Sequence, residues 1–184
     1  MTTRSSPGEA PSGATVIAWL TNGSPWTRQL ANKVPEVSAT FWLLTILSTT
    51  LGATVADFLS ANLGPGLGMS ATTANVSLVV AGTLIFQLST GRYVPGLYWL
   101  AVVLVSVLGT LLSDDLVDNL GLSLWVVSAV FGVLLAVAFA GWHRSEHTLS
   151  VHAVLTRRRE AWHWCAVLCA FSLGTAISDL ISGN

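Results

Sequence analysis

From Glu36 onward the chain alternates long uncharged, apolar stretches with short polar punctuation. No Asp, Glu, Lys or Arg occurs in residues 37–56, 58–91, 93–113, 119–142 or 161–178. The second run contains Asn62-Leu63-Gly64-Pro65-Gly66, a cluster of turn formers that splits it from the segment before. A helix needs roughly 20 apolar residues to cross a hydrocarbon core of about 30 Å. The pattern therefore predicts five transmembrane helices, over residues 39–61, 71–90, 95–114, 122–142 and 161–182. The expected fold class is all-α, a polytopic helical bundle. Residues 1–35 are polar and rich in Ser, Thr, Pro and Gly, so they read as a mobile cytoplasmic tail. Residues 36–184 form the transmembrane domain.

An internal repeat runs through the apolar part. Trp42, Trp99 and Trp164 each precede a glycine by ten residues, and Gly52, Gly109 and Gly174 each precede an aspartate by five: Asp57, Asp114 and Asp179. Leu51, Leu108 and Leu173 stand directly before the three glycines. The offsets between copies are 57 and 65 residues, about the length of a two-helix hairpin with its loop. This divides the domain into repeat one (37–92), repeat two (93–158) and the first helix of a third (159–184). Successive hairpins are then parallel repeats, each odd helix running in the same direction.

Composition and charge sharpen this picture. Only 9 % of residues are charged and the mean hydropathy is +0.67, against about 25 % charged in soluble domains. All eight Lys and Arg fall in three places: Arg4, Arg28 and Lys33 before the first span, Arg92 between the second and third, and Arg144, Arg157, Arg158 and Arg159 between the fourth and fifth. In a five-span chain these places share one side. The positive-inside rule makes that side cytoplasmic, with the N-terminus in and the C-terminus out. Trp42, Trp99, Trp142 and Trp164 then fall near the inner interface, where an indole suits the headgroup zone. Arg157, Arg158 and Arg159 are placed to meet anionic lipid headgroups. A net charge of −1 with no basic stripe excludes nucleic acid as a partner.

The candidate chemistry lies in the repeated acids. Each Asp follows its Trp by 15 residues, roughly 22 Å along a helix axis, which puts it toward the outer edge of the membrane. A charge in hydrocarbon is costly, so these acids are expected to face protein or water. Hydroxyls at three, four, seven or eight residues before each acid share its helical face: Thr50 and Thr54 for Asp57, Ser106 and Thr110 for Asp114, Ser172 and Thr175 for Asp179. Three such stripes converging on an axis would bind a cation or exchange a proton. Gly52, Gly109 and Gly174 lie on another side, where a small residue admits a neighbouring backbone. Cys165 and Cys169, one helical turn apart, read as buried small residues rather than a metal site or a disulfide. His143 and His147 lack the zinc-protease pattern, and no P-loop, nucleophile elbow or dinucleotide fingerprint occurs. The residues ask for no metal, no cofactor and no enzymatic activity.

Several strings carry a family likeness: KVPEVSATFW, TTLGATVADFLSANLG, RYVPGLYWL, GTLLSDDLVDNLG, RSEHTLSVHAVLTRRREAWHW and LGTAISDL. Over residues 33–184 the chain resembles a bacterial family of uncharacterised, membrane-anchored, multi-pass proteins built from tandem two-helix repeats with a Trp near each start. The resemblance implies a bacterial cytoplasmic membrane protein and brings no activity with it. Members of that family usually have four repeats. Two repeats and half of a third imply a naturally short member, a truncated product, or a protomer completed by assembly. The resulting expectation is a small transporter or channel-like subunit for a cation or small solute, with Asp57, Asp114 and Asp179 as the ion- or proton-linked groups. The alternative is a non-transporting membrane scaffold or sensor subunit that assembles as a homo-oligomer or with a membrane partner.

Overall fold

The computed structural model describes residues 38–90, 94–146 and 157–183. The expected tail with Arg4, Arg28 and Lys33, and the connecting residues Arg92, His147 and His152, lie outside the described residues. Within them the chain forms α1 (Ala39–Leu67), α2 (Met69–Ser89), α3 (Pro95–Asp114), α4 (Leu124–Glu146) and α5 (Arg157–Ser182), with a π-helical turn, Asp115–Asn119, continuing α3. All five helices are long and apolar enough to cross a membrane.

Local chemistry starts and stops these helices. Ser38 opens α1 by accepting the Phe41 N–H at 3.2 Å. Pro95 opens α3 behind an extended Val94, where the missing N–H costs no helical bond. The first reversal falls later than the turn formers suggest: α1 continues past residue 61 through Pro65 to Leu67. The proline removes one backbone bond near the helix end, which the helix tolerates. The reversal itself needs left-handed backbone, and Gly68 supplies it at φ 87°. Gly121, at φ 67°, does the same between the π turn and α4, so α4 begins at Leu124 and not at 122. The remaining differences lengthen helices: α4 reaches Glu146 and α5 starts at Arg157.

Helix α3 occupies the centre. In its apolar window 61 % of residues are buried, against 17–22 % in the other four helices. Val80 of α2, Trp164 of α5 and Tyr98, Ala101, Val102, Val105 and Leu108 of α3 form one core cluster. Ala56 of α1 joins Val107 and Leu111 in a second, and Val127 and Phe131 of α4 join Ala176 of α5 in a third. The outer faces stay apolar and bare: Leu78 is 73 % exposed, Trp125 74 % and Ile181 78 %. Apolar surface on this scale suits lipid, in keeping with five helices long and apolar enough to cross a membrane. Threonines of α1 close on their own helix. Thr45, Thr50 and Thr54 each donate to the carbonyl four residues back, at 2.8–3.1 Å.

Helices α1, α3 and α5 lie side by side and run the same way. Near their starts Phe41 meets Trp99 and Tyr98 meets Trp164, with ring centroids 5.8 and 5.4 Å apart. Further along, the Ser106 hydroxyl points to the Thr49 carbonyl at 3.5 Å, and the Thr110 and Thr175 hydroxyls lie 3.3 Å apart. These pairs are separated by 57 and 65 residues, the two repeat offsets, so corresponding repeat positions face each other. Glycines permit the approach. A Cβ on Gly52 would run into the Ser106 side chain, and one on Gly109 would come within 2.7 Å of the Phe171 Cβ.

The tryptophans divide. Trp42 is exposed and Trp99 half-buried, but Trp142 and Trp164 are only 2 % and 3 % exposed. Both are packed around His163, with ring centroids 6.4 and 5.3 Å from it, and Trp164 is further covered by the core cluster of α2 and α3.

Replacing Gly109 by Leu should overpack the α3–α5 contact and lower stability by about 1–3 kcal/mol. Gly82→Leu, on an open face of α2, should leave stability unchanged or slightly raised. Thermal unfolding in detergent, followed by tryptophan fluorescence, compares the two; equal midpoints would refute the packing account.

Candidate functional site

Parallel packing of α1, α3 and α5 brings their C-terminal halves around one cavity of about 340 Å³. α1 contributes Thr49, Ala53 and Asp57, and α3 contributes Ser106, Thr110 and Asp114. The α5 wall is Ala170, Phe171, Gly174, Thr175, Ser178 and Asp179. The three repeated acids thus share a single space. A smaller cavity of about 210 Å³ adjoins it, lined by Asp114, Val117, Asp118, Leu124 and Asp179. Asp114 and Asp179 line both cavities, so they stand where the two meet. Among the described residues no basic side chain lines either.

The hydroxyls set the polarity of the wall. Thr175 Oγ1 donates to the Phe171 carbonyl at 3.3 Å, which leaves its lone pairs for the Thr110 hydroxyl beside it. That contact ties α3 to α5 one turn below the acids. Asp57 is exposed, while Asp114 and Asp179 are half-buried. Among the described residues, no three His, Cys, Asp or Glu side chains are gathered tightly enough to hold a metal ion. The carboxylates line a shared space without forming a coordination cage.

The remaining acids divide between a helix contact and a cavity. Asp115 is still bonded as α-helix and stands one residue past Asp114, about 100° round the axis, which turns it away from the cavities and toward α2. There Asp115 accepts the Ser70 hydroxyl at 2.9 Å, and Asn119 Nδ2 donates to Ser70 Oγ at 2.6 Å. Asp115 and Asn119 therefore fasten α2 to the end of α3. Asp118 points the other way, into the smaller cavity.

Several expected site residues fall elsewhere. Thr50 and Thr54 do not line the cavity; both are exposed and bonded to the Ile46 and Thr50 carbonyls. Their places on the wall belong to Thr49 and Ala53. The reason is angular. Residues four and eight before an acid lie on its own line, whereas a shift of one residue turns the side chain about 100°. Ser172 is fully buried in the α3–α5 contact, off the cavity wall. Gly174 was expected to pack a neighbour, but nothing lies within 4 Å of a Cβ built there, because it looks into the cavity. Ser106, Thr110 and Thr175 lie on the wall. Thr49 and Ser178 were missed. The repeat offset held the signal for Thr49, which stands 57 residues before Ser106.

A thiol-reactivity comparison checks the wall. In a background lacking Cys165 and Cys169, Ser178→Cys should react with a charged, water-borne thiol reagent at least tenfold faster than Thr54→Cys. Equal rates would mean that the cavity is not hydrated.

A family model described as Repeat of Unknown Function (DUF347) matches the chain twice, over residues 40–93 and 97–148. The two segments cover more than half of the chain, holding α1 with α2 and α3 with α4. The chain belongs to this family. No curated protein and no solved structure matches it.

Proposed function

We propose that this member of the repeat family is a small transporter or channel-like subunit of the bacterial cytoplasmic membrane that moves a cation or a small solute coupled to protons. The carrying observation is that Asp114 and Asp179 line two adjoining cavities at once, with Asp57 in the larger and Asp118 in the smaller. Two adjoining spaces joined at a pair of carboxylates supply successive stations for a proton or a hydrated cation. An ionised group in a membrane costs about 2.5–3.5 kcal/mol on insertion scales. Three repeated acids in one bundle are a heavy burden for a purely mechanical role. The absence of basic side chains among the described wall residues favours cations over anions.

The reading includes an orientation. Arg144, at the end of α4, and Arg157, Arg158 and Arg159, at the start of α5, lie at the end of the bundle away from the acids. That end faces the cytoplasm under the positive-inside rule, with the arginines beside anionic headgroups. The acids then open toward the outside, where α3 gives way to its π turn.

A second reading, a scaffold or sensor subunit, is favoured by one feature: the α5 wall at Gly174 has no neighbour among the described residues. It predicts a folded protein that carries no flux.

Proteoliposomes with wild type or Asp114→Asn separate these cases. Under an imposed pH gradient, the wild type should move protons, with or without a companion from a panel of monovalent cations and small solutes. The asparagine variant should lose at least tenfold in rate. Flux that survives the substitution would keep transport and remove Asp114 from it. No flux of any species from folded wild type would overturn transport and leave the scaffold reading.

A further inference from the structure

The contact that joins α1 to α3 is made a second time between α3 and α5. On the leading helix it uses the repeat glycine, Gly52 or Gly109. On the following helix it uses the residue three positions before that helix's own repeat glycine, Ser106 or Phe171. The backbone partners correspond as well: a Cβ on Gly52 would lie 3.1 Å from Val107 N, and one on Gly109 would lie 3.1 Å from Ser172 N. Val107 and Ser172 are the same repeat position, 65 residues apart. The bundle thus contains one helix-to-helix contact used twice in a row.

Among the described residues, each end of the row keeps an unused half of that contact. On α5 the leading half is free, since no described atom lies within 4 Å of a Cβ on Gly174. On α1 the following half is free, since Thr49, three positions before Gly52, is exposed. Both residues line the larger cavity, on opposite walls. The walls therefore carry complementary surfaces that cannot satisfy one another, because α3 stands between α1 and α5.

We infer that a second copy of the chain docks on this face, with its α1 seated against α5 so that Thr49 of the partner subunit meets Gly174. The placement continues an interface already formed twice in the fold. Among the described odd helices only α1 has its following surface free, because α3 and α5 use theirs on Gly52 and Gly109. A second copy brings such a helix with the matching residues in register. The contact made reciprocally, α5 of each copy on α1 of the other, closes a two-fold pair with two identical interfaces. It also sets Asp57 of the partner subunit beside Asp179, as Asp57 stands beside Asp114. The cavity of one chain is thus an incomplete site, and the pair encloses a ring of six repeated acids.

The register names the test. Thr110 faces Thr175 at 3.3 Å, so Thr175 should face Ala53 of the partner subunit, one repeat earlier. Two differently tagged copies, both lacking Cys165 and Cys169, are expressed together, one with Ala53→Cys and one with Thr175→Cys. Mild oxidation in membranes should yield a disulfide-linked species carrying both tags. Thr175→Cys opposite Gly82→Cys should give at least tenfold less. Failure of the Ala53–Thr175 pair to link in folded protein would overturn the docking geometry. Stepwise photobleaching of singly labelled wild type in bilayers supplies a reading free of substitutions at the interface. Two steps are expected, falling at least tenfold in frequency for Gly174→Leu. Single steps in the wild type would show that lipid or another protein covers the face, and pairing unchanged by Gly174→Leu would show that copies meet elsewhere. Either result overturns the inference. None of these readouts measures flux, so the outcome is independent of the transport proposal.

Discussion

The close approach of three parallel helices through small residues is the constraint on which this structure rests. In lipid, apolar side chains gain little by leaving one apolar medium for another, so helices associate through close packing and hydrogen bonds. Gly52 lets Ser106 settle against the α1 backbone, and Gly109 lets Phe171 settle against α3. With those contacts in place α3 is enclosed, while α2 and α4 pack at the periphery of the row and keep broad apolar faces outward. The same approach brings Thr110 to Thr175 and the three acids to one cavity. Packing and site are therefore one arrangement seen at two heights along the helices.

The polar groups of the bundle obey one rule in two settings. Toward lipid, Thr50 and Thr54 return their protons to backbone carbonyls of the same helix. A hydroxyl spent in this way has no need of water, and the helix surface remains compatible with hydrocarbon. Toward the cavity, Thr175 gives its proton to Phe171 and still offers lone pairs to Thr110. A carboxylate has no such internal remedy. It carries no donor when ionised, and backbone N–H groups inside a helix are already engaged. Acids on a membrane helix consequently demand a polar space, and Asp57, Asp114 and Asp179 line one.

Much of this was legible in the residues. Five uncharged runs identified five helices, and the Trp–Gly–Asp spacing identified which of them correspond. What escaped was rotation and termination. The stripe on α1 was read through Thr50 and Thr54, yet it runs through Thr49 and Ala53, because hydroxyls are easy to see in a sequence and an alanine at the equivalent position is not. The repeat offset carried the correct register, but a threonine pair adjacent to it masked the signal. Termination failed for a related reason. Asn62 to Gly66 have turn-forming composition, but composition does not show which residue adopts left-handed backbone, and that residue was Gly68. The π turn after Asp114 was invisible altogether, since neither apolar periodicity nor charge distinguishes it from ordinary helix. It lies between Asp115, which fastens α2, and Leu120, and it holds Asp118, which lines a cavity.

Parallel repetition has a consequence that antiparallel packing does not. When identical motifs run side by side in the same direction, like residues meet like residues at the same depth. Threonine meets threonine without cost, since a hydroxyl is both donor and acceptor. Aspartate meets aspartate at a cost, because like charges in a poorly screened space repel. A repeat that placed its acid on the convergent face without a purpose would be more stable with asparagine or serine there. Every repeat in this chain keeps the acid, although the hydroxyl positions on the same wall drift, with Ala53 opposite Thr110 and Phe171 in the place of Ser106. Tolerance of drift in the cheap groups, together with retention of the expensive one, ties the acids to something that relieves their repulsion. Among the described residues no basic side chain on the cavity walls offsets that repulsion, and on that uncompensated charge the transport proposal rests.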